Sequence, residues 1–133
     1  MRTFTLHLQS ATQYEHFPDT VSFVGNDQSG SFGLLAGHSR FMTALTFGLA
    51  RFRTGGGAWH FIALPGGLAW FTGNQLYINT RRYLRGTEYQ RIRAALDEQF
   101  AAEEDQLREV KRSLQKMEQE MFRWLVEIGR GQR

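Results

Sequence analysis

Arg85-Gly86-Thr87-Glu88-Tyr89-Gln90 is where the chain changes character. Before residue 87 lie 12 of the 14 glycines, both prolines and nine of the 11 phenylalanines. The 42 residues of 87–128 contain neither glycine nor proline and are rich in Glu, Gln, Arg, Leu and Ala, a helix-forming composition. Thr87 followed three residues later by Gln90 has the form of a capping box, and Gly129-Arg130 supplies a helix stop. The pattern predicts a strand domain over residues 1–86 and a helical domain over 87–133.

Upstream of the junction, apolar and polar residues alternate with period two: Phe4, Leu6 and Leu8 against Thr5, His7 and Gln9, then Val21 and Phe23, then Leu76 and Ile78. That is the signature of half-buried strands. Turn chemistry separates them at Pro18-Asp19, Asn26-Asp27, Gly55-Gly56-Gly57 and Gly73-Asn74. Eight to ten short strands in so few residues imply a sandwich or barrel.

Downstream, Leu107, Val110, Leu114, Met117, Met121, Trp124 and Ile128 are spaced alternately three and four apart, a coiled-coil seam. Burying seven such side chains is worth on the order of 10 to 20 kcal/mol gross, so the seam calls for a partner surface. Tyr89, Ile92, Leu96 and Phe100 form a second apolar edge. Two arrangements satisfy the pattern: a two-helix hairpin reversing near residues 101–106, or one long helix, since that stretch contains no helix breaker. The charge distribution, six acids and two bases over 87–106 but six bases and four acids over 107–130, suits either.

Composition narrows the chemistry. The 133 residues carry a net charge of +3 and no cysteine, which excludes disulfide scaffolds, cysteine metal sites and thiol nucleophiles. The longest run without a polar side chain, 61–71, is too short to span a bilayer, and the N-terminus lacks an apolar signal core, so a soluble chain retained where it is made is expected. No Gly-Lys-Ser/Thr loop accompanies the two lysines, Lys111 and Lys116. His7, His16, His38 and His60 lie scattered over separate segments, so no metal site or other cofactor is expected. Glu15 and Asp19 flank a turn and read as solvated acids.

Three surface features have a functional and a plain reading. Arg51 and Arg53, with Arg81, Arg82 and Arg85, form either a phosphate- or acid-binding patch or an ordinary solvated face. Trp59, Phe61, Trp70 and Phe71 form either a stacking platform for nucleic acid or sugar, or core, and alternation in strands favours core. Arg108, Lys111, Arg112, Lys116 and Arg123 form a mostly basic flank beside the seam, either solubilising or suited to an acidic partner.

One run carries a resemblance. Gly30-Ser31-Phe32-Gly33-Leu34-Leu35-Ala36-Gly37-His38-Ser39-Arg40-Phe41-Met42-Thr43-Ala44-Leu45 resembles the Gly-x-x-Gly-x-x-Pro-Gly-His-x-x-x-x-Thr-x-Leu signature of the epsilon subunit of F-type ATP synthases. Gly48-Leu49-Ala50-Arg51-Phe52 resembles that family's Gly-x-x-Arg strand, and Leu64-Pro65-Gly66-Gly67-Leu68 its Ser-Gly-Gly turn. The ending Asn79-Thr80-Arg81-Arg82-Tyr83 is similar to the alternate, sodium-type branch.

The resemblance implies a mainly β fold with an α appendage: a ten-stranded β-sandwich followed by a two-helix hairpin or long helix. It implies a noncatalytic central-stalk subunit, peripheral to the cytoplasmic side of a bacterial inner membrane, which couples ion-driven c-ring rotation to ATP synthesis. Gly33, Gly37, His38 and Thr43 would face the gamma subunit, and Asn26, Asp27, Gln28, Ser29 and Gly30 the c-subunit ring. When the helices extend toward the alpha and beta subunits, Arg108, Arg112, Lys116 and Arg123 would meet acidic beta residues and resist hydrolysis. Ala36 stands in place of the signature proline, and Asn79-Thr80-Arg81 in place of the usual Ala-Asp-Thr. Some members bind ATP through Ile/Leu-Asp-x-x-Arg-Ala; here Tyr89-Gln90-Arg91-Ile92-Arg93-Ala94 keeps Arg93 and Ala94 but has Gln90 at the acidic position, so ATP binding is not expected. The reading from a different class is a free-standing β-sandwich module for nucleic acid or glycan.

Overall fold

The computed structural model describes residues 2–131, and the side chains to 129. Nine strands precede the helices: β1 (Phe4–Gln9), β2 (Tyr14–Asp27), β3 (Gly30–Leu35), β4 (Phe41–Leu45), β5 (Gly48–Thr54), β6 (Trp59–Leu64), β7 (Gly67–Thr72), β8 (Gln75–Asn79) and β9 (Leu84–Gly86). The strand order is β4-β7-β8-β1-β2-β5-β6-β9, with β3 also paired to β2. The 14-residue β2 serves two layers. Its first half pairs with β1 and its second half with β5 and β3, the register shifting between Thr20 and Ser22. Nine strands form among the described residues where ten were expected, with β2 continuous through both sets of pairings. Pro18-Asp19, expected as a reversal, instead lies within β2 near this bend, where Thr20 is fully buried and its hydroxyl donates to the Phe17 carbonyl at 2.8 Å. Among the described strands only β1 and β8 run parallel; the other pairs are antiparallel.

The alternation seen in sequence sorts side chains as expected. Phe4, Leu6 and Leu8 of β1, Phe23 of β2, Phe52 of β5, Phe71 of β7 and Leu76 and Ile78 of β8 form one buried core. Phe4 meets Phe71 edge-on at 5.4 Å, a favoured aromatic geometry. The turns follow their residues: Gly73 and Asn74 both have positive φ, 53° and 56°, the I′ pattern that matches the twist of a tight hairpin. At Gly67 a Cβ would run into the Asn79 carbonyl oxygen, so β7 and β8 approach closely only because that side chain is missing.

Among the described residues, those up to 100 form one compact unit and those from 101 a second. In the first, α1 (Tyr89–Ala95) leads into a π-helical turn, Leu96–Phe100. Ile92, Leu96 and Phe100 bury themselves with Ala63 against Leu49, Phe61 and Leu84, a second small core outside the first. Gly86 admits this docking, since a Cβ there would stand 3.0 Å from Ile92 Cδ1. The capping box expected of Thr87 and Gln90 does not form: the N-cap is Glu88, one residue later, with no side-chain cap. Burial of Ile92 anchors the start of this helix.

The second unit is α2 (Ala101–Gly131), which by itself is a single helix. Residues 101–106, where a hairpin would reverse, are its first turns. Gly129, expected to stop the helix, lies inside it, because a glycine there costs only about 1 kcal/mol and does not force a left-handed turn. Replacing Gly67 with alanine is expected to destabilise the sandwich by ~1–3 kcal/mol, read as a lower melting temperature, while Gly56→Ala, which meets nothing within 4 Å, leaves it within ~0.5 kcal/mol.

Candidate subunit-docking site

The tip of the β2–β3 hairpin is tightly organised. Asp27 Oδ1 accepts from the Ser29 backbone N–H at 2.9 Å and from the Ser29 hydroxyl, while Oδ2 accepts from the Thr43 hydroxyl at 2.8 Å. These bonds, that from the Ser29 side chain first, hold the Asp27 carboxyl below the usual carboxylate range. Gly30 completes the turn with φ 121°, open to few other residues. Asn26 joins the same tip to the following strands: its amide donates to the Leu49 carbonyl at 3.1 Å and its carbonyl accepts from Thr46 N–H at 3.0 Å. The loop 26–30 and Thr43, assigned by resemblance to two different partners, are thus one hydrogen-bonded block.

The loop between β3 and β4 is anchored separately. Gly37 has φ 83° and donates its N–H to Asn74 Oδ1 at 2.7 Å, tying the loop to the β7–β8 turn. His38 Nδ1 lies 2.7 Å from the Ser39 carbonyl oxygen, and its ring sits edge-on to Phe41 and Phe71 at 5.7 and 5.8 Å. Gly33 lies exposed on β3 across from Val24 of β2, with room for a Cβ, so local packing does not demand glycine there. Ala36 leans on the main core. Asn79, Thr80 and Arg81, where the resemblance departs, lie at and just past the end of β8, and the Thr80 hydroxyl donates to the Gly66 carbonyl at 2.6 Å.

One surface escaped the sequence reading. Met42, Trp70, Tyr77, His7 and His16 are register partners in succession across β4, β7, β8, β1 and β2. Trp70 packs 5.5 Å from Tyr77, Tyr77 stacks at 4.6 Å on His7, and His7 lies 6.5 Å from His16. The His7 ring is held between the Tyr14 hydroxyl at 2.6 Å and Gln75 Oε1 at 2.7 Å. Two histidines that seemed scattered are therefore neighbours. The available signal was parity: Trp70 and Phe71 are adjacent in one strand and must face opposite ways. Phe71 is core, as expected; Trp70 and Trp59 are 42% and 38% exposed and are not, while Phe61 is half-buried under Tyr89.

The arginines are largely engaged within the chain. Arg51 and Arg53 both lie over the Trp59 ring, at 5.2 and 5.7 Å. Arg82 donates to Gln99 Oε1 at 3.0 Å and lies over Phe100. Arg85 places Nε and Nη2 at 3.1 and 2.7 Å from Glu15 Oε2, lies over Phe17, and approaches His60 Nδ1 at 3.2 Å. Glu15 also accepts from the Tyr83 hydroxyl at 3.0 Å. The expected patch at 81–85 is in part an internal clasp joining β9 to β2, and Glu15 is its acid rather than a solvated group. Arg93, half-exposed, pairs with Asp97 at 3.6 Å and lines a cleft of 280 Å³ with Arg51, Phe61 and Tyr89; Ala94 beside it is exposed and Gln90 is not among the lining residues.

In α2 the seam from Leu107 to Ile128 is 38–62% exposed; Leu125 borders it, while the exposed Phe122 and Val126 lie on the far face beside Arg123. At 3.6 residues per turn, Arg108, Arg112, Lys116 and Arg123 fall on one face, and that face lies opposite the seam. The expectation of a basic flank beside the seam is corrected by this geometry; only Lys111 borders it. An exposed pair, Arg108–Asp105 at 4.0 Å, adds little.

The sandwich matches the family model of the ATP synthase, Delta/Epsilon chain, beta-sandwich domain, over residues 3–86. A curated relative, ATP synthase epsilon chain 2 of Cereibacter sphaeroides, is 39% identical over 83 residues, which are 62% of this chain and 57% of that one. The match thus spans little more than half of the relative. Among solved structures, a chain of the Euglena gracilis mitochondrial ATP synthase, in an assembly of OSCP, F1 and c-ring, matches with a TM-score of 0.57 at 22% identity over 70% of this chain and 61% of that one. A chain of the Tetrahymena thermophila mitochondrial ATP synthase central stalk and c-ring matches with 0.54 at 13% identity over 62% and 66%. At those identities the likeness is one of fold: a β-sandwich of the kind found in the ATP synthases. With the domain model matched over residues 3–86, the chain belongs to the ATP synthase delta/epsilon-chain family.

The clasp should report on acid. Arg85, ahead of Tyr83, holds the Glu15 carboxyl below its usual range against the opposing effect of burial; burial first, then Arg85, pushes the His60 imidazole down; Tyr83 is pushed up to about 12 by burial and by Glu15. Both Glu15 and His60 bind fewer protons folded than unfolded through their titration ranges. Stability is therefore expected to fall as pH drops below about 6.5 through His60, and further below about 4.3 through Glu15. In thermal melts, Glu15→Gln should be less stable than the parent at pH 7, with the difference narrowing toward pH 3; a constant difference would count against the clasp.

Proposed function

We propose that this chain is the noncatalytic epsilon subunit of the central stalk of an F-type ATP synthase, coupling c-ring rotation to ATP synthesis and restraining ATP hydrolysis through α2. The observation that carries the reading is the family match over residues 3–86, the same residues that build the sandwich. The hydrogen-bonded block of Asp27, Ser29 and Thr43 supports it further, since a part that transmits torque needs its contact loops held rigidly to the strands. In this reading Gly33, Gly37, His38 and Thr43 contact the gamma subunit, and 26–30 stands on the polar loops of the c ring. The basic face of α2, Arg108, Arg112, Lys116 and Arg123, meets acidic residues of beta, with alpha alongside. The chain is then peripheral, on the cytoplasmic side of a bacterial inner membrane, and held there by the complex; no helix among the described residues is long and apolar enough to cross a membrane. The nucleic-acid or glycan reading is not favoured, because Arg51 and Arg53 already lie over Trp59.

Ending the chain after Phe100 keeps the second core of Ile92, Leu96 and Phe100 and removes α2. That truncation is expected to raise the ATPase activity of the assembled head several-fold, and unchanged activity would reject the braking role while leaving the coupling role standing. Tight ATP binding is not part of this reading, because Gln90 occupies the acidic position beside Arg93. Isothermal titration of the intact chain is expected to give no binding at micromolar ATP, and a micromolar dissociation constant would overturn that point.

A further inference from the structure

Among the described strands, β9 ends the strand order and pairs with β6 alone, through Leu84, Arg85 and Gly86. Three ladder positions hold an edge weakly, so the side chain of Arg85 matters. Its Nε and Nη2 reach Glu15 Oε2 on β2, and its Nη1 stands 3.2 Å from His60 Nδ1 on β6. A guanidinium has donors and no acceptor, so the contact with His60 is a hydrogen bond only while Nδ1 keeps its lone pair. The ring is therefore neutral here, with its proton on Nε2. It is also fixed in place, stacked on Phe52 at 4.7 Å and 6° and tilted against Phe17 at 5.7 Å. The charged groups that act on it are Arg85 from β9 and Glu15 and Asp19 from β2, with the Tyr83 hydroxyl bonded to Glu15 behind them. Arg51 and Arg53 of β5 flank its register partner Phe52 but lie over Trp59, on the opposite side of the sheet. A proton on His60 Nδ1 sets donor against donor and cation against cation.

From this we infer that His60 is an acid-sensing latch: the neutral ring holds Arg85, and protonating it releases β9 with the helical segment 89–100 while the main core stays closed. The released piece is bounded by its packing. Ile92, Leu96 and Phe100 close with Ala63 on Leu84 of β9, in a core separate from the main one, and Arg82 braces the same segment through Gln99 and Phe100. Tyr83, one residue before β9, belongs to the main core, so the boundary falls between 83 and 84. Opening there gives up the small core and leaves the large one intact, which makes acid act locally before it unfolds the chain. Glu15 and Asp19 favour a charged ring, but burial, ahead of Arg85, outweighs them and holds the imidazole below its usual range. Once open, the ring is free of Arg85 and nearer its ordinary pKa of about 6.5, so the open form binds more protons below that pH and acid favours it. Glu15, held below the usual carboxylate range, stays ionised through that window and is not the trigger. The latch uses only residues of the first unit and goes beyond the stalk reading without depending on it.

The test is hydrogen–deuterium exchange of the intact chain, read by mass spectrometry between about pH 7.5 and about pH 5.5 and corrected for the intrinsic rate at each pH. Protection of peptides within 84–100 is expected to fall several-fold toward the acid end. Its ceiling is about tenfold, the ratio of charged to neutral imidazole about one unit below the ordinary pKa. Peptides from β1 and β8 should keep their protection. His60→Asn, whose Oδ1 can accept from Arg85 at any pH, is expected to abolish the response of 84–100, while His16→Gln, which alters a ring of the outer row, should preserve it. Proton NMR of the parent supplies a check that needs no variant: the His60 ring should titrate at a lower pH than a free imidazole. Should His60→Asn fail to fold by circular dichroism, the parent's exchange pattern and ring titration decide by themselves. A flat profile for 84–100, an equal loss in β1 and β8, a response that survives in folded His60→Asn or vanishes in His16→Gln, or a His60 ring titrating as a free imidazole would each overturn the latch. Because none of these readouts involves rotor assembly or ATPase activity, they can fail while the stalk reading holds, or succeed while it fails.

Discussion

A single strand long enough to belong to two layers is the constraint on which the first unit rests. β2 pairs with β1 through its first half and with β5 and β3 through its second, so the bend and register shift near Thr20 are what allow two layers to share one core. The burial of Thr20 fits that role. A hydroxyl at a fully buried position is costly unless bonded, and here it is satisfied within β2 by the Phe17 carbonyl, across the bend itself. The Glu15–Arg85 pair acts on the same strand a few residues earlier, fastening β9 to it. Because α1 begins only three residues past the end of β9, the strand that joins the layers also steadies the element that covers Ala63 and Leu84.

Much of this was legible from residues alone, and the parts that were not share a cause. Period-two alternation gave the inward faces of β1, the second half of β2, and β8, and glycine and asparagine placed the tight turns, because both are local rules. The role of Pro18-Asp19 was not local: a bend inside a long strand and a reversal between two strands use the same residues, and only the pairing partners distinguish them. The outward row from Met42 to His16 was missed for a similar reason. Its members are far apart in sequence and become neighbours through register, which no single segment contains. The misplacement of the basic face of α2 had a different origin. Charge was read along the sequence next to the seam, whereas on a helix adjacency obeys spacings of three and four.

The candidate docking residues divide the same way. His38, Gly37 and Thr43 stood out through a motif, yet the reason Gly37 and Thr43 sit where they do lies in Asn74 and Asp27, partners 37 and 16 residues distant that the motif does not contain. Gly33 is the instructive exception. The motif singles it out, but its surroundings leave room for a Cβ. Under the proposed gamma contact, such a glycine would let a partner approach that backbone closely.

The two units also differ in how they meet the cost of apolar surface. The first encloses Phe4, Phe23, Phe52 and Phe71 in one core and Phe100 in another; the second leaves its seam in contact with solvent while retaining a regular helix over 31 residues. Such a helix can persist without a packed face because its length exceeds the roughly 12–15 residues below which isolated helices are marginal, and because its sequence is rich in strong helix formers. If α2 acts as proposed, the apolar area of its seam would contribute to docking rather than to folding.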